Sequence, residues 1–428
     1  MHKTRPAKIT SPIVSLKDDY AYVLPTALIV GAIGIGASFF LSFGDFQLFS
    51  HVYLVNFCFL LSIAVGALFF VTIMHLTRAG WSVMVRRLGE ILAMCTFPML
   101  ILFLPILIPV LMGMDVVYPW NAPGWSVVHA DEALIAEIKA LPMSERPPLE
   151  VMKSGYLNRG FFGIRIIAYF AIWGAMAWFF LSNSSKQDVT GDKSITAKLQ
   201  GWSAPLMILF AATLVFASFD IEMTLEPLWF STMFPVYFFA GAMGSALATI
   251  TLAALLIQRS GRCTDEITTD HYHDMGKLIF AFVIFWGYIG FSQFMLIWYA
   301  NIPEETFWFD WRINKEWTYW SIMLMVGHLF IPFLGLMART LRRSRAYLLG
   351  ASIYMLVMHW IDHYWLIMPS CYADHQFTFN PLVVFPSAIG MIAVGVGLFM
   401  LVARDMPLVP LKDPRIGAAL NHEVSITG

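Results

Sequence analysis

The sequence predicts an all-α integral membrane protein that crosses the bilayer about ten times, and three observations carry the prediction. Of 428 residues, 58% are hydrophobic and 13% are charged. That is half the roughly 25% of charged residues in ordinary soluble domains, too little to cover the surface of a soluble protein of this length. Apolar runs recur along the whole chain, each near the ~20 residues needed to cross hydrocarbon. Lys and Arg are dense in every second connection between runs.

The elements follow in order. Residues 1–21 form a polar tail without the pattern of a cleaved signal peptide, so the first run is expected to remain in the mature protein. The candidate spans are Tyr22–Phe43, Val52–His75, Leu88–Met112, Phe161–Leu181, Ser203–Phe219, Ser231–Gln258, Met275–Ala300, Trp317–Ala338, Ala346–Met368 and Leu382–Ala403. The fifth is the shortest. Pro98, Pro105 and Pro332 fall inside spans, which membrane helices tolerate where neighbours satisfy the freed carbonyl. Gly31, Gly34 and Gly36 in the first span, and Gly241, Gly244 and Ser245 in the sixth, let helices approach closely. Residues 22–403 thus form one ten-helix transmembrane domain, and 404–428 a second polar tail.

Orientation follows from Lys and Arg. The N-terminal tail, the even-numbered connections and the C-terminal tail hold 19 of them, the odd-numbered connections 6. The bias places both termini in the cytoplasm. The longest connection, residues 113–160, falls on the outer side. Its Tyr118-Pro119-Trp120 motif and a helix-like stretch over Ala130–Ala140 suit either a docking surface or an ordered loop lying on its own helices. A faint repeat relates Arg78-Ala79-Gly80 to Arg259-Ser260-Gly261 four spans later. It suggests two parallel four-helix bundles, about 52–219 and 231–368, with one flanking helix at each end.

Several function classes are excluded. Net charge is −1 and no basic field points to nucleic acid. There is no phosphate-binding glycine loop and no nucleophile elbow. Cys58, Cys95, Cys263 and Cys371 are isolated, with no CxxC or CxxCH spacing, and read as small hydrophobes.

Ionisable residues at membrane depth are costly and therefore functional candidates. The densest group is on the ninth span, where His359, Asp362 and His363 share a helix face at i+3 and i+4. His328 lies at mid-depth on the antiparallel eighth span. A His with a carboxylate nearby can exchange protons near neutral pH. The bland reading is an interfacial aromatic and His belt. A b-type haem between His328 and His359 is a further alternative. Secondary candidates for a proton path are His75, Glu90, Arg165 and Asp220, with Arg165 placed to pair with an acid such as Asp220 or Glu222. No residue is assigned to a catalytic or metal-binding role.

The string His75-Leu76-Thr77-Arg78-Ala79-Gly80-Trp81-Ser82-Val83, the ten spans and the cytoplasmic termini together resemble a known family. It is the ActF type of NrfD-like membrane subunit in bacterial alternative complex III, a quinol:cytochrome c oxidoreductase. The membrane anchor of polysulfide reductase is a more distant relative. The resemblance implies two four-helix bundles with flanking helices in the bacterial inner membrane. It implies a subunit that supports quinol oxidation, proton translocation or both, with quinone or menaquinone as the membrane cofactor. Its implied partners are membrane lipid, a homologous NrfD-like subunit, an iron–sulfur subunit and c-type cytochrome subunits, with a terminal oxidase as a further partner. Haem c and iron–sulfur clusters would sit on those partners. In that family the quinol site is assigned to the sister ActC type, and the ActF type is associated with a proton route. The alternative from the residues alone is a secondary transporter with a parallel helix-bundle repeat and a midplane site. Dense Trp and Phe, and the lack of paired broken helices, favour the first.

Overall fold

The computed structural model describes residue 16 and residues 20–122, 155–313, 316–372 and 375–424, and the helix proposed over 130–140 lies outside them. The chain is all-α, with no strand among the described residues. Helix α1 is Val23–Leu41 and α2 is Phe46–Leu76. Helices α3 (Val83–Met94) and α4 (Thr96–Met112) follow each other with a break only at Cys95, and α5 is Arg159–Thr190. Then come α6 (Lys193–Ile221), α7 (Phe234–Arg259), α8 (Thr269–Ala300), the short α9 (Pro303–Ile313) and α10 (Trp317–Met323). A π-helical turn over Leu324–Phe330 leads into α11 (Ile331–Met337). The series ends with α12 (Arg339–Arg342), α13 (Arg345–Ile367), α14 (Pro381–Ala403) and α15 (Ile416–Leu420).

Among the described residues nine helical stretches are long and apolar enough to cross a membrane. The tenth helix of the expected set, α13, has 23 residues, about 35 Å at 1.5 Å per residue, which is ample for a crossing. It falls below the apolarity of the others because it carries the His and Asp residues singled out above. The fifth span is not short: α6 starts at Lys193 and continues through Pro205. Its first two turns are polar, so a hydropathy reading sees only the part in hydrocarbon.

Helices α2 to α6 pack on one another, and so do α7 to α13, with α2 and α7 back to back at the centre. That contact depends on small residues. A Cβ added to Gly66 of α2 would lie 2.1 Å from the Ala242 carbonyl oxygen of α7. Such close approach supplies the dispersion contacts that hold helices together where lipid removes the hydrophobic drive. Helices α1 and α14 form a separate pair. A Cβ on Gly34 would lie 2.7 Å from the Gly390 Cα, and Ser38 donates to the Val383 carbonyl at 2.8 Å.

The basic connections gather on one end of the bundle. Arg86 meets Asp413 of the C-terminal tail at 2.7 Å, and Arg87 meets Asp188 at 2.5 Å. Arg343 meets Asp270 at 2.5 Å, and His422 bonds Asp274 at 2.6 Å. The opposite end is rich in Trp and Tyr. There Tyr118 and Trp120 are buried against Phe162, and Tyr118 donates to the Ile221 carbonyl at 2.9 Å. Tyr118 and Trp120 of the motif therefore lie on the protein's own helices.

Candidate functional site

Four of the sequence candidates converge. His328 comes from the π-helical turn, and His359, Asp362 and His363 come from α13; each is no more than 3% exposed. The rings of His359 and His363 are 4.6 Å apart, and those of His328 and His359 are 6.3 Å apart. The π turn matters to this placement. It widens the helix around His328 and turns the Gly327 carbonyl to accept from Tyr354 of α13 at 2.9 Å. Gly241 of α7 makes room for His359: a Cβ there would lie 2.9 Å from the imidazole Cε1. At the far end of α13, the buried Arg312 guanidinium donates to the Leu366 carbonyl at 2.8 Å. It covers the Trp308 ring at 3.5 Å. Burial lowers the Arg312 pKa to about 9, which leaves it cationic at neutral pH. That charge suits a helix C-terminus.

The expected pairing of Asp362 with its helix neighbours is not what forms. Asp362 accepts from Tyr237 of α7 at 2.5 Å and from the Trp286 indole of α8 at 3.0 Å. The His–carboxylate pair is instead His363 with Glu222, Nδ1 to Oε1 3.0 Å, from the end of α6. Ser62 of α2 lies between the imidazoles, 2.8 Å from His359 Nε2 and 3.3 Å from His363 Nε2. The cluster therefore joins the two halves of the molecule through α2, α6, α7, α8 and α13. Glu222 lies two residues from Asp220. On a helix, that spacing sends side chains to different faces, so one acid serves α13 and the other α5. Tyr237, Trp286 and Ser62 left no signal in the sequence, because only packing aims their polar tips at Asp362 and the imidazoles.

Asp220 has a closed set of partners. Arg165 holds it with two bonds, 2.8 and 2.9 Å, and Tyr169 donates at 2.8 Å. The remaining secondary candidates lie at the basic end, about 20 Å away along α2, counting 1.5 Å per residue from Ser62 to His75. Glu90 is fully enclosed by Arg86 at 3.1 Å and Arg87 at 3.4 Å. His75 stacks on Phe180, and neither of its ring nitrogens has a hydrogen-bond partner. Outside the spans, Asp413 of this network is held well below the usual carboxylate range. Burial would raise it, but Arg415 and Arg86 outweigh burial.

The packing decides what the cluster can hold. Trp286 covers His328 with ring centroids 4.1 Å apart, and the two imidazoles meet edge to face, so no porphyrin fits between His328 and His359. The void beside Glu222, lined by Cys58, Trp173 and Phe238, has about 10 Å³, room for about one water and not for a quinone ring. Among the described residues, no group of three or more His, Cys, Asp or Glu side chains is placed to hold a metal ion. What the arrangement can do is hold and pass protons among three imidazoles and two carboxylates, in a site with no Lys or Arg among the described residues.

No curated protein matches this chain. Residues 163–373, just under half its length, match the family model for Polysulphide reductase, NrfD, and that stretch contains His328, His359, Asp362, His363 and their partners Glu222, Tyr237 and Trp286.

Proposed function

We propose that this chain is the NrfD-like membrane subunit of a bacterial quinol:cytochrome c oxidoreductase of the alternative complex III type, and that its part in the complex is to move protons. Subunits of the NrfD family work with iron–sulfur and other redox partners, and here those partners would carry the iron–sulfur clusters and c-type haem. The observation that carries the reading is the buried His–Asp–Glu cluster inside the NrfD-matched stretch. Burying so many ionisable groups at membrane depth is costly and structurally unnecessary. Quinol oxidation releases protons, and imidazoles beside carboxylates can accept and pass them. Quinol oxidation itself belongs to a partner subunit on this reading, because the void beside Glu222 has room for about one water and not for the ring. Nothing in the fold or the family match favours a transporter.

In the intact complex, Asp362→Asn should leave haem content and assembly unchanged while quinol:cytochrome c turnover, or its coupling to proton release, is lost. If Asp362→Asn and His328→Ala both turn over with wild-type proton stoichiometry, the cluster is structural. A purified complex without c-type haem would remove the assignment itself.

The same reading puts both tails and the basic end in the cytoplasm of the inner membrane. Cys263 and Cys371 are both buried, so reporters must be introduced. In intact spheroplasts an impermeant thiol reagent should label Asp310→Cys and spare Asp405→Cys. The reverse pattern would invert the orientation.

A further inference from the structure

A groove of about 960 Å³ runs between the α1–α14 pair and the two helix groups. At the basic end it is bordered by Leu16, Tyr20 and Ser260, and at the aromatic end by Trp320, Phe379 and Phe385. It thus extends over most of the depth of the protein. Between its ends the polar lining groups are occupied by protein, and only the Tyr20 hydroxyl at the basic end and the Trp320 indole at the aromatic end have no hydrogen-bond partner among the described residues. Thr249 bonds the Ser245 carbonyl at 2.8 Å and Ser260 the Ile257 carbonyl at 2.7 Å. Trp360 donates to Asn56 at 2.7 Å. The Phe59 ring stands between the groove and His359, centroids 5.9 Å apart. Along its middle the groove therefore offers a ligand no polar partner and no way to the imidazoles, which suits an acyl chain.

The two ends differ. At the aromatic end the walls are pinned together, since Asn56 bonds both Trp360 of α13 and Ser387 of α14, the latter at 3.0 Å. At the basic end Arg262 lies over the Tyr20 ring at 5.2 Å and beside Ser260, with the exposed Arg259 one turn back. These cations match an anionic headgroup. We propose that the groove is the binding site of one anionic phospholipid, its phosphate at Arg259 and Arg262 and its acyl chains running toward Asn56. The lipid completes the packing of the α1–α14 pair, which touches α2 directly at Asn56–Ser387 and at Leu60 against Gly395 and leaves the groove beside those contacts.

The test is native mass spectrometry of the purified full-length chain in detergent, with solvent extraction of what remains bound. A phospholipid should be retained, enriched in phosphatidylglycerol or cardiolipin over zwitterionic lipid. The double variant Ala253→Phe, Ala388→Phe fills the groove and should reduce retention at least about tenfold. Added phosphatidylglycerol should raise the Tm of delipidated wild type but not of this variant. If the filled variant does not fold, Arg259→Gln with Arg262→Gln decides: retention should fall and lose its preference for anionic headgroups. Quinone as the retained species, no retained lipid in wild type, or retention unchanged in the variants would each overturn the site.

Discussion

The molecule buries ionisable groups at two levels, and the two levels are built differently. At the basic end three cations, Arg86, Arg87 and Arg415, face three carboxylates, Glu90, Asp188 and Asp413. The C-terminal tail completes this layer, with the Leu411 amide donating to Asp188 at 2.7 Å. Near the other end, Asp362 and Glu222 have no Lys or Arg partner among the described residues. Asp362 is held by a phenol and an indole, and Glu222 by an imidazole. Guanidinium groups do not give up their protons, so the first layer is a fixed clamp. Phenol, indole and imidazole stabilise a carboxylate without a permanent charge, and imidazole can itself take up a proton. The difference separates a layer that holds helices together from one that can change its protonation during turnover.

The largest effect should come from breaking the clamp. Arg87→Ala leaves Glu90 and Asp188 buried without their shared cation, a loss of about 3–5 kcal/mol. Little monodisperse protein should then survive size exclusion in detergent, and a normal yield would refute the structural role of this layer. Asp362→Asn should act in the opposite way, with a normal yield and turnover of the complex reduced about 100-fold or more. A folding defect there would erase the contrast. Tyr237→Phe removes a single bond to Asp362, worth about 1.5–3 kcal/mol when the acceptor is charged, and should slow turnover about tenfold without changing yield.

The smallest effect concerns the tail. The lowered pKa of Asp413 means that its carboxylate contributes stability above the unfolded value near 4 and loses it as pH falls toward the folded value. Asp413→Asn should therefore raise hydrogen exchange over residues 404–424 at neutral pH. The gap between variant and wild type should close progressively below about pH 4. A gap unchanged at low pH would mean that Asp413 does not clamp the tail through its charge.

Much of this architecture is legible in the sequence. The sequence places the ninth span at Ala346–Met368, and helix α13 covers Arg345–Ile367. The gathering of basic connections on one end follows from their alternation alone. Hydropathy places helix starts too late where polar turns precede the hydrocarbon. Helix α8 begins at Thr269, behind a Thr268–His271 capping box, and not at Met275. The partners inside the cluster are hidden from the sequence for a similar reason. Spacing shows that His359, Asp362 and His363 lie near one helix face, but not which neighbouring helix each side chain meets.

By itself, the sequence determined that the chain is an all-α membrane protein and which of its ionisable groups lie in the apolar spans. Both follow from local periodicity, because hydrocarbon tolerates only helices long and apolar enough to satisfy every backbone group internally. Only the tertiary structure decided that Asp362 rests on Tyr237 and Trp286, that Glu222 serves His363 while Arg165 takes Asp220, and that Arg86 is locked to Asp413 of the C-terminal tail and Arg87 to Asp188 of α5. Those choices depend on how closely helices far apart in sequence approach one another. That approach is set by where small residues such as Gly66 and Gly241 let backbones meet, and a periodic pattern of apolar residues does not encode it.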